Sequence, residues 1–95
     1  MNSSTEFQRR VFNIVKKIPR GKVMTYKEVA GWLGDLGAAR AVGNALNKNF
    51  DPQVPCHRVV KSDGTVGGFR DGTQKKIEML MREGVNIKNG KVTNL

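Results

Sequence analysis

A mainly α, winged-helix-like helix-turn-helix domain with small β-hairpins is the fold class this sequence predicts, and three observations predict it. Apolar residues recur at helical spacing in four separate segments. The second and third of these are short and meet at the tight Gly34-Asp35-Leu36-Gly37 connection. The stretches that follow carry turn signals of the hairpin type. With 95 residues the chain holds one modest core and too little material for a second, so a single domain over residues 1–95 is expected.

The first helix is expected over about Ser4 to Ile18, with Phe7, Val11, Phe12, Ile14, Val15 and Ile18 as its apolar stripe and Ser3 and Glu6 spaced as a capping box. Pro19, Arg20 and Gly21 stop it. Val23 to Tyr26 reads as extended, and Thr25 with Glu28 repeats the capping pattern before a second helix that buries Val29, Ala30 and Leu33. Gly34 ends that helix, and a third spans about Ala38 to Lys48. Two prolines between Asn49 and Cys56 exclude a helix there and give Cys56 a stiff, extended lead-in. Val59-Val60-Lys61 and Thr65-Val66 flank Ser62-Asp63-Gly64 as a first hairpin, followed by a glycine-rich loop over residues 67–72. A fourth helix, capped near Asp71 or Thr73, buries Ile77, Leu80 and Met81 and stops at Gly84. Residues 85–92 form a second hairpin about Asn89-Gly90.

Seventeen Lys and Arg stand against eight Asp and Glu, a formal net charge of +9, which is the electrostatic footprint of a nucleic-acid binder. A solvated basic surface or a ribosome-like binder has the same composition. No apolar segment approaches the ~20 residues that cross a bilayer, so no membrane partner is expected. The single cysteine, Cys56, and the single histidine, His57, are adjacent in Pro55-Cys56-His57-Arg58-Val59-Val60. One Cys and one His are too few for a closed zinc site, so no metal and no cofactor are expected, and nucleophilic chemistry at the thiol is the reading to test. A free thiol needs a base or a positive field nearby; His57 and Arg58 are candidates, and Glu83 is one of few carboxylates available to orient the histidine. On an extended chain neighbouring side chains point apart, so a water is expected between Cys56 and His57. The third helix is unusual for its small residues: Ala38, Ala39, Ala41, Gly43 and Ala45 surround Arg40. Close approach of a polynucleotide backbone explains such a surface, and so does tight packing on another helix.

The active-site run, together with Gly21-Lys22-Val23-Met24-Thr25-Tyr26, Ala38-Ala39-Arg40-Ala41-Val42-Gly43 and Gly68-Phe69-Arg70, resembles the O6-alkylguanine-DNA alkyltransferase family, also called methylated-DNA-protein-cysteine methyltransferases. The match covers nearly the whole chain in family order. The resemblance implies that Cys56 takes an alkyl group from the O6 oxygen of guanine in double-stranded DNA, once per molecule. It implies that His57 acts through water as base and that Glu83 orients it. Tyr26 would press on the target phosphate and give the base a proton, Arg40 would fill the vacated stack, and Asn49 would be the hinge behind the recognition helix. The Val59 carbonyl would accept from the guanine amino group, with Pro55, Phe69 and Arg70 completing the pocket. An extruded base exposes its reactive carbon to a side chain, and a recognition helix in the minor groove, ~6 Å wide, needs the small side chains of Ala38, Ala39, Ala41 and Gly43.

Three departures bear on these roles. The sequence begins almost at the first helix, so the amino-terminal domain of typical members is expected to be absent. The segment from Asn49 to Cys56 is one residue shorter than usual, and Phe69 and Arg70 stand where members commonly have Tyr and Ser, which narrows the expected range of adducts. A monomer in the cytoplasm and nucleoid, or in a nucleus, is expected. The closest rival is the alkyltransferase-like group, which binds the same lesions without transfer and hands them to excision-repair proteins; its members carry tryptophan at the position of Cys56. A winged-helix regulator would need base-reading side chains on the third helix, where alanine and glycine predominate. A Cys-His hydrolase has no implied cleft in so small a chain.

Overall fold

The computed structural model describes residues 5–49 and 51–93. Helix α1 (Glu6–Val15) opens on a capping box in which the Thr5 hydroxyl accepts from the Gln8 amide at 3.0 Å and the Gln8 side chain accepts from the Thr5 amide at 3.1 Å. This corrects the Ser3/Glu6 box. Ser3 lies outside the described residues, glutamine returns the bond as well as glutamate does, and Glu6 instead pairs with Arg9 on the surface at 2.9 Å. The helix ends at Val15, earlier than expected, and a turn carries Ile18 into the core.

Strand β1 (Met24–Thr25) runs into helix α2 (Tyr26–Trp32), capped as expected by the reciprocal bonds of Thr25 and Glu28. A 3-10 turn, Leu36–Ala38, held by the Asp35 carboxylate accepting from the Gly37 amide, leads to helix α3 (Ala39–Asn47). The three helices pack on one another around Val11, Val15, Val29, Val42 and Leu46, with Val59 beside them; Val11, Val15 and Val29 lie on the apolar faces expected of the first two. Ala45 turns inward to this core and leaves the small-residue surface.

Strand β2 (Val59–Val60) corrects the first hairpin. The Ser62-Asp63-Gly64 turn forms, with the Lys61 amide on the Thr65 carbonyl at 2.9 Å, but β2 pairs in parallel with β1, Met24 opposite Val59 and Thr25 opposite Val60. Both valines are wholly buried, as in a strand covered on both faces. Thr65 and Val66 turn instead to the second hairpin, where the Val66 amide donates to Gly90 and the Val92 amide to Gly64. That hairpin, β3 (Ile87–Lys88) with β4 (Lys91–Val92), is as expected, its turn made by Asn89 and Gly90, both at positive φ.

Helix α4 (Thr73–Arg82) lacks the side-chain cap expected from Asp71 or Thr73: the residue before it is Gly72 at φ +98°, and no side chain caps the first turn. Its inward face is Lys76 and Leu80, with Ile77 partly covered, and this face closes a second small core with Val60, Val66, Val85 and Val92. Met81 is 55% exposed, contrary to expectation, because a helix that buries residues 76 and 80 rotates residue 81 to the outside.

Candidate active site

The loop before Cys56 is organised by Asn49, which is buried. Its side-chain amide donates to the carbonyls of Asp51 and Val54, both at 3.2 Å, and its oxygen accepts from the Asp51 amide at 3.0 Å. Turns over residues 52–54, closed by the Val54 amide donating to the Asp51 carbonyl at 3.0 Å, replace the extended lead-in expected before the cysteine. Pro55, also buried, then caps a single 3-10 turn, Cys56–Arg58. With three residues per turn, successive side chains leave the axis about 120° apart, so Cys56 and His57 still diverge. Cys56 is a free thiol with partial exposure, and His57 and Val59 are buried.

On one side of the turn the Glu83 carboxylate gathers His57 and Arg58. His57 Nε2 lies 2.9 Å from Glu83 Oε2, Arg58 Nε donates to Oε1 at 2.9 Å and Arg58 Nη2 to Oε2 at 2.8 Å; Arg58 Nη1 also donates to the Ile18 carbonyl at 2.8 Å. Burial opposes ionisation of Glu83, but the hydrogen bonds and charges of Arg58 and His57 outweigh it and take the carboxyl down to about 2. An ionised Glu83 is an acceptor only, so the proton of the neutral imidazole sits on Nε2 and Nδ1 carries the free lone pair. Glu83 is the C-cap of α4, which places it next to the turn that ends at Gly84.

On the other side stands Tyr26, the first residue of α2, aligned by the β1–β2 pair. Its ring lies against two glycines: a Cβ built on Gly43 would sit 3.7 Å from Tyr26 Cε1, and one on Gly67 would sit 3.7 Å from both Cε2 and the hydroxyl oxygen. The Gly43 contact is ordinary van der Waals distance, so nothing inside the protein demands a glycine there. Burial, with the Cys56 thiolate, pushes the Tyr26 phenol up, and it stays protonated. Beneath the ring is a residue that the sequence reading missed. Lys76, fully buried, donates from Nζ to the Val59 carbonyl at 2.7 Å and to the Gly68 carbonyl at 3.3 Å. A lysine followed by apolar Ile77 and Leu80 reads as a solvated flank; the available signal was that residues 76, 80 and 83 fall on one helical face.

Helix α3 presents Arg40 and Ala41 exposed, with Ala38 just before the helix, Ala39 and Gly43 half-buried. Arg40 makes no hydrogen bond or ion pair with any described residue. A cleft of about 390 Å³ between Tyr26, Arg40, Gly43, Lys61, Ser62 and Gly68 abuts a second of about 430 Å³ bounded by Tyr26, Gly43, Asn47, Gly68, Phe69 and Arg70. Arg70 Nη1 donates to the Asn49 carbonyl, so the glycine loop is strapped to the segment behind α3. A larger concavity, about 740 Å³, lies elsewhere, around Lys22, Lys27, Glu28 and Leu36, and includes no residue of the Cys56 cluster. Among the described residues no three His, Cys, Asp or Glu side chains gather as a metal site, and no helix is long and apolar enough to cross a membrane.

Comparison with known proteins places the fold. The family described as 6-O-methylguanine DNA methyltransferase, DNA binding domain, matches residues 6–85. A methylated-DNA–protein-cysteine methyltransferase of Methanothermobacter thermautotrophicus is 46% identical over 84 residues, covering 87% of this chain and 47% of the relative. Among solved structures, Mycobacterium tuberculosis OGT in complex with DNA superposes with a TM-score of 0.82 at 40% identity, over 85% of this chain and 50% of that one. Schizosaccharomyces pombe Atl1, in complex with damaged DNA containing O6-carboxymethylguanine, gives 0.81 at 38% identity, over 92% of this chain and 83% of that one. The chain spans about half the length of that methyltransferase and of that OGT chain.

Proposed function

The chain belongs to the 6-O-methylguanine DNA methyltransferase family by its DNA-binding domain, and from that premise we propose that residues 1–95 form one unit that both binds alkylated double-stranded DNA and accepts the alkyl group on Cys56. The observation that carries the proposal is the partly buried His57–Glu83–Arg58 network built directly onto the turn that holds a partly exposed thiol.

That geometry supports a displacement at the alkyl carbon. His57 Nδ1 takes the thiol proton through a water, and the sulfur attacks the alkyl carbon in line with the bond to O6. A carbon–sulfur bond forms, the carbon–oxygen bond breaks, and the electron pair passes to the purine, where a proton from Tyr26 neutralises it. The proton held by His57 returns to Tyr26. The thioether has no route to hydrolysis, so each molecule acts once. For a side chain to reach O6 the nucleotide must leave the stack, at a cost of a few kcal/mol. Arg40, exposed beside the Tyr26 cleft, offsets part of that by filling the gap. The Asn49-organised loop delivers Cys56 behind α3, and Pro55, Val59, Phe69 and Arg70 bound the base.

Incubation with a duplex bearing one O6-methylguanine, followed by intact-mass measurement, tests this. Wild-type protein gains one methyl group and Cys56→Ser gains none. A second reading, lesion binding without transfer and presentation to excision-repair proteins, is favoured by the likeness to Atl1, which this chain covers over most of its length. Tight lesion binding with unchanged protein mass selects it.

A further inference from the structure

The transfer scheme leaves Lys76 unused, yet this wholly buried side chain stands among the groups that the scheme requires. Its ammonium reaches the Val59 carbonyl at 2.7 Å and the Gly68 carbonyl at 3.3 Å, and lies 5.7 Å from the centroid of the Tyr26 ring. No carboxylate among the described residues is within ion-pair distance of it. The titratable groups that face it are Tyr26 from α2 and Cys56 from the 3-10 turn; β2 and the glycine loop offer it only carbonyls. The Arg58 guanidinium, the Glu83 carboxylate and the His57 ring bond to one another.

A cation in a core without a counter-ion is expensive, and Leu or Met would fill the same helical position without that penalty. What lysine adds there is a fixed positive charge and directed N–H donors. We infer that Lys76 is a positioning residue for alkyl transfer, tying the strand that follows the acceptor turn to the glycine loop and holding the charge against which Tyr26 releases its proton. The inference rests on the reading that Cys56 accepts the alkyl group. When the Tyr26 proton moves to the purine, a phenolate is left over the ammonium, which offsets its charge until His57 returns the proton. Lys76 itself exchanges no proton with the substrate. Its bond to Val59 occupies one lone pair of that carbonyl and leaves the other for the guanine amino group.

The test is the single-turnover rate of methyl transfer from an O6-methylguanine duplex, read by intact mass from neutral to alkaline pH, for wild type, Lys76→Met and Lys76→Arg. Burial, partly countered by the Cys56 thiolate, draws the lysine down to about 8. The wild-type rate is expected to fall as pH passes that value, and Lys76→Arg, which stays charged, to keep its rate there. Lys76→Met should be slower by about tenfold at neutral pH and should lack the alkaline fall, with lesion-duplex binding retained. A Lys76→Met protein that reacts at the wild-type rate overturns the inference. If that variant does not fold, an alkaline fall shared by Lys76→Arg overturns it, as does a wild type with no fall at all. A wild type that gains no methyl at any pH defeats the transfer reading itself, a different result from an active wild type indifferent to Lys76.

Discussion

On one flank of Cys56 a single carboxylate, Glu83, receives bonds from His57 and Arg58, and three charges or potential charges satisfy one another at 2.8–2.9 Å. On the other flank Lys76 has two backbone carbonyls and an aromatic ring, and no carboxylate among the described residues pairs with it. The first arrangement keeps Glu83 ionised and thereby dictates which imidazole nitrogen is free. The second keeps a proton donor, Tyr26, beside a cation that burial has made easy to neutralise. Under the proposed transfer the pocket takes a proton at one edge and gives one at the other, and this asymmetry serves that exchange, since equal charge on both flanks would favour neither transfer.

The comparison breaks most visibly at Glu83. Glu83→Ala strands Arg58 and His57 in a site where the carboxylate side chain is only 9% exposed, and should cost about 3–5 kcal/mol in urea-unfolding free energy. The pH dependence of stability separates the flanks next. Glu83 is ionised in the folded protein down to about 2, whereas the unfolded carboxyl binds a proton near its ordinary value of 4.5, so its contribution is present above that value and is lost on acidification toward 2. Lys76 has the other origin. Folded, it sheds its proton near 8 and unfolded near 10.5, so the penalty of burying its charge applies in full below 8 and is relieved as pH rises between the two values. Thermal melts should show an acid ramp that Glu83→Gln removes and an alkaline ramp that Lys76→Met removes; the reverse pairing would refute the assignment.

Smaller effects sharpen the picture at the helix facing Tyr26. Gly43→Ala should stabilise the fold by up to about 1 kcal/mol, because alanine is the better helix former and its methyl meets Tyr26 at ordinary contact distance, 3.7 Å. The same methyl narrows both clefts beside Tyr26, so transfer from lesion duplex should slow as the melting temperature rises. Arg40→Ala should move stability by no more than about 0.5 kcal/mol, the residue being exposed and unbonded to the described fold, while transfer from duplex falls more than transfer from a single strand. Equal losses on the two substrates would remove Arg40 from the extrusion step.

Much of this was legible because it is local. The Thr25–Glu28 cap, the Gly34 stop, the Asn89-Gly90 turn and the Cys56-His57 pair each declare themselves within a few residues. The β1–β2 ladder did not: Val59 and Val60 sit next to a genuine turn signal, yet their partner lies 35 positions away, and only burial on both faces decides against the nearer strand. Lys76 escaped for a related reason. Its polarity announces solvent, and what brings it inside is a pair of carbonyls supplied by distant segments. Met81 shows the converse, an apolar residue turned outward by the rotation that seats Lys76 and Leu80.

The ladder of Met24 with Val59 and Thr25 with Val60 carries one more implication. Tyr26 follows directly on one of its rails, and the acceptor turn ends directly before the other. Two rungs thus act as an alignment pin between the residue assigned to displace a nucleotide and the sulfur assigned to receive its burden. A slip of one residue would invert the side chains of both rails. Extrusion and capture should therefore disappear together at a single denaturant midpoint, leaving no partly opened form that pulls out a base it is unable to mend.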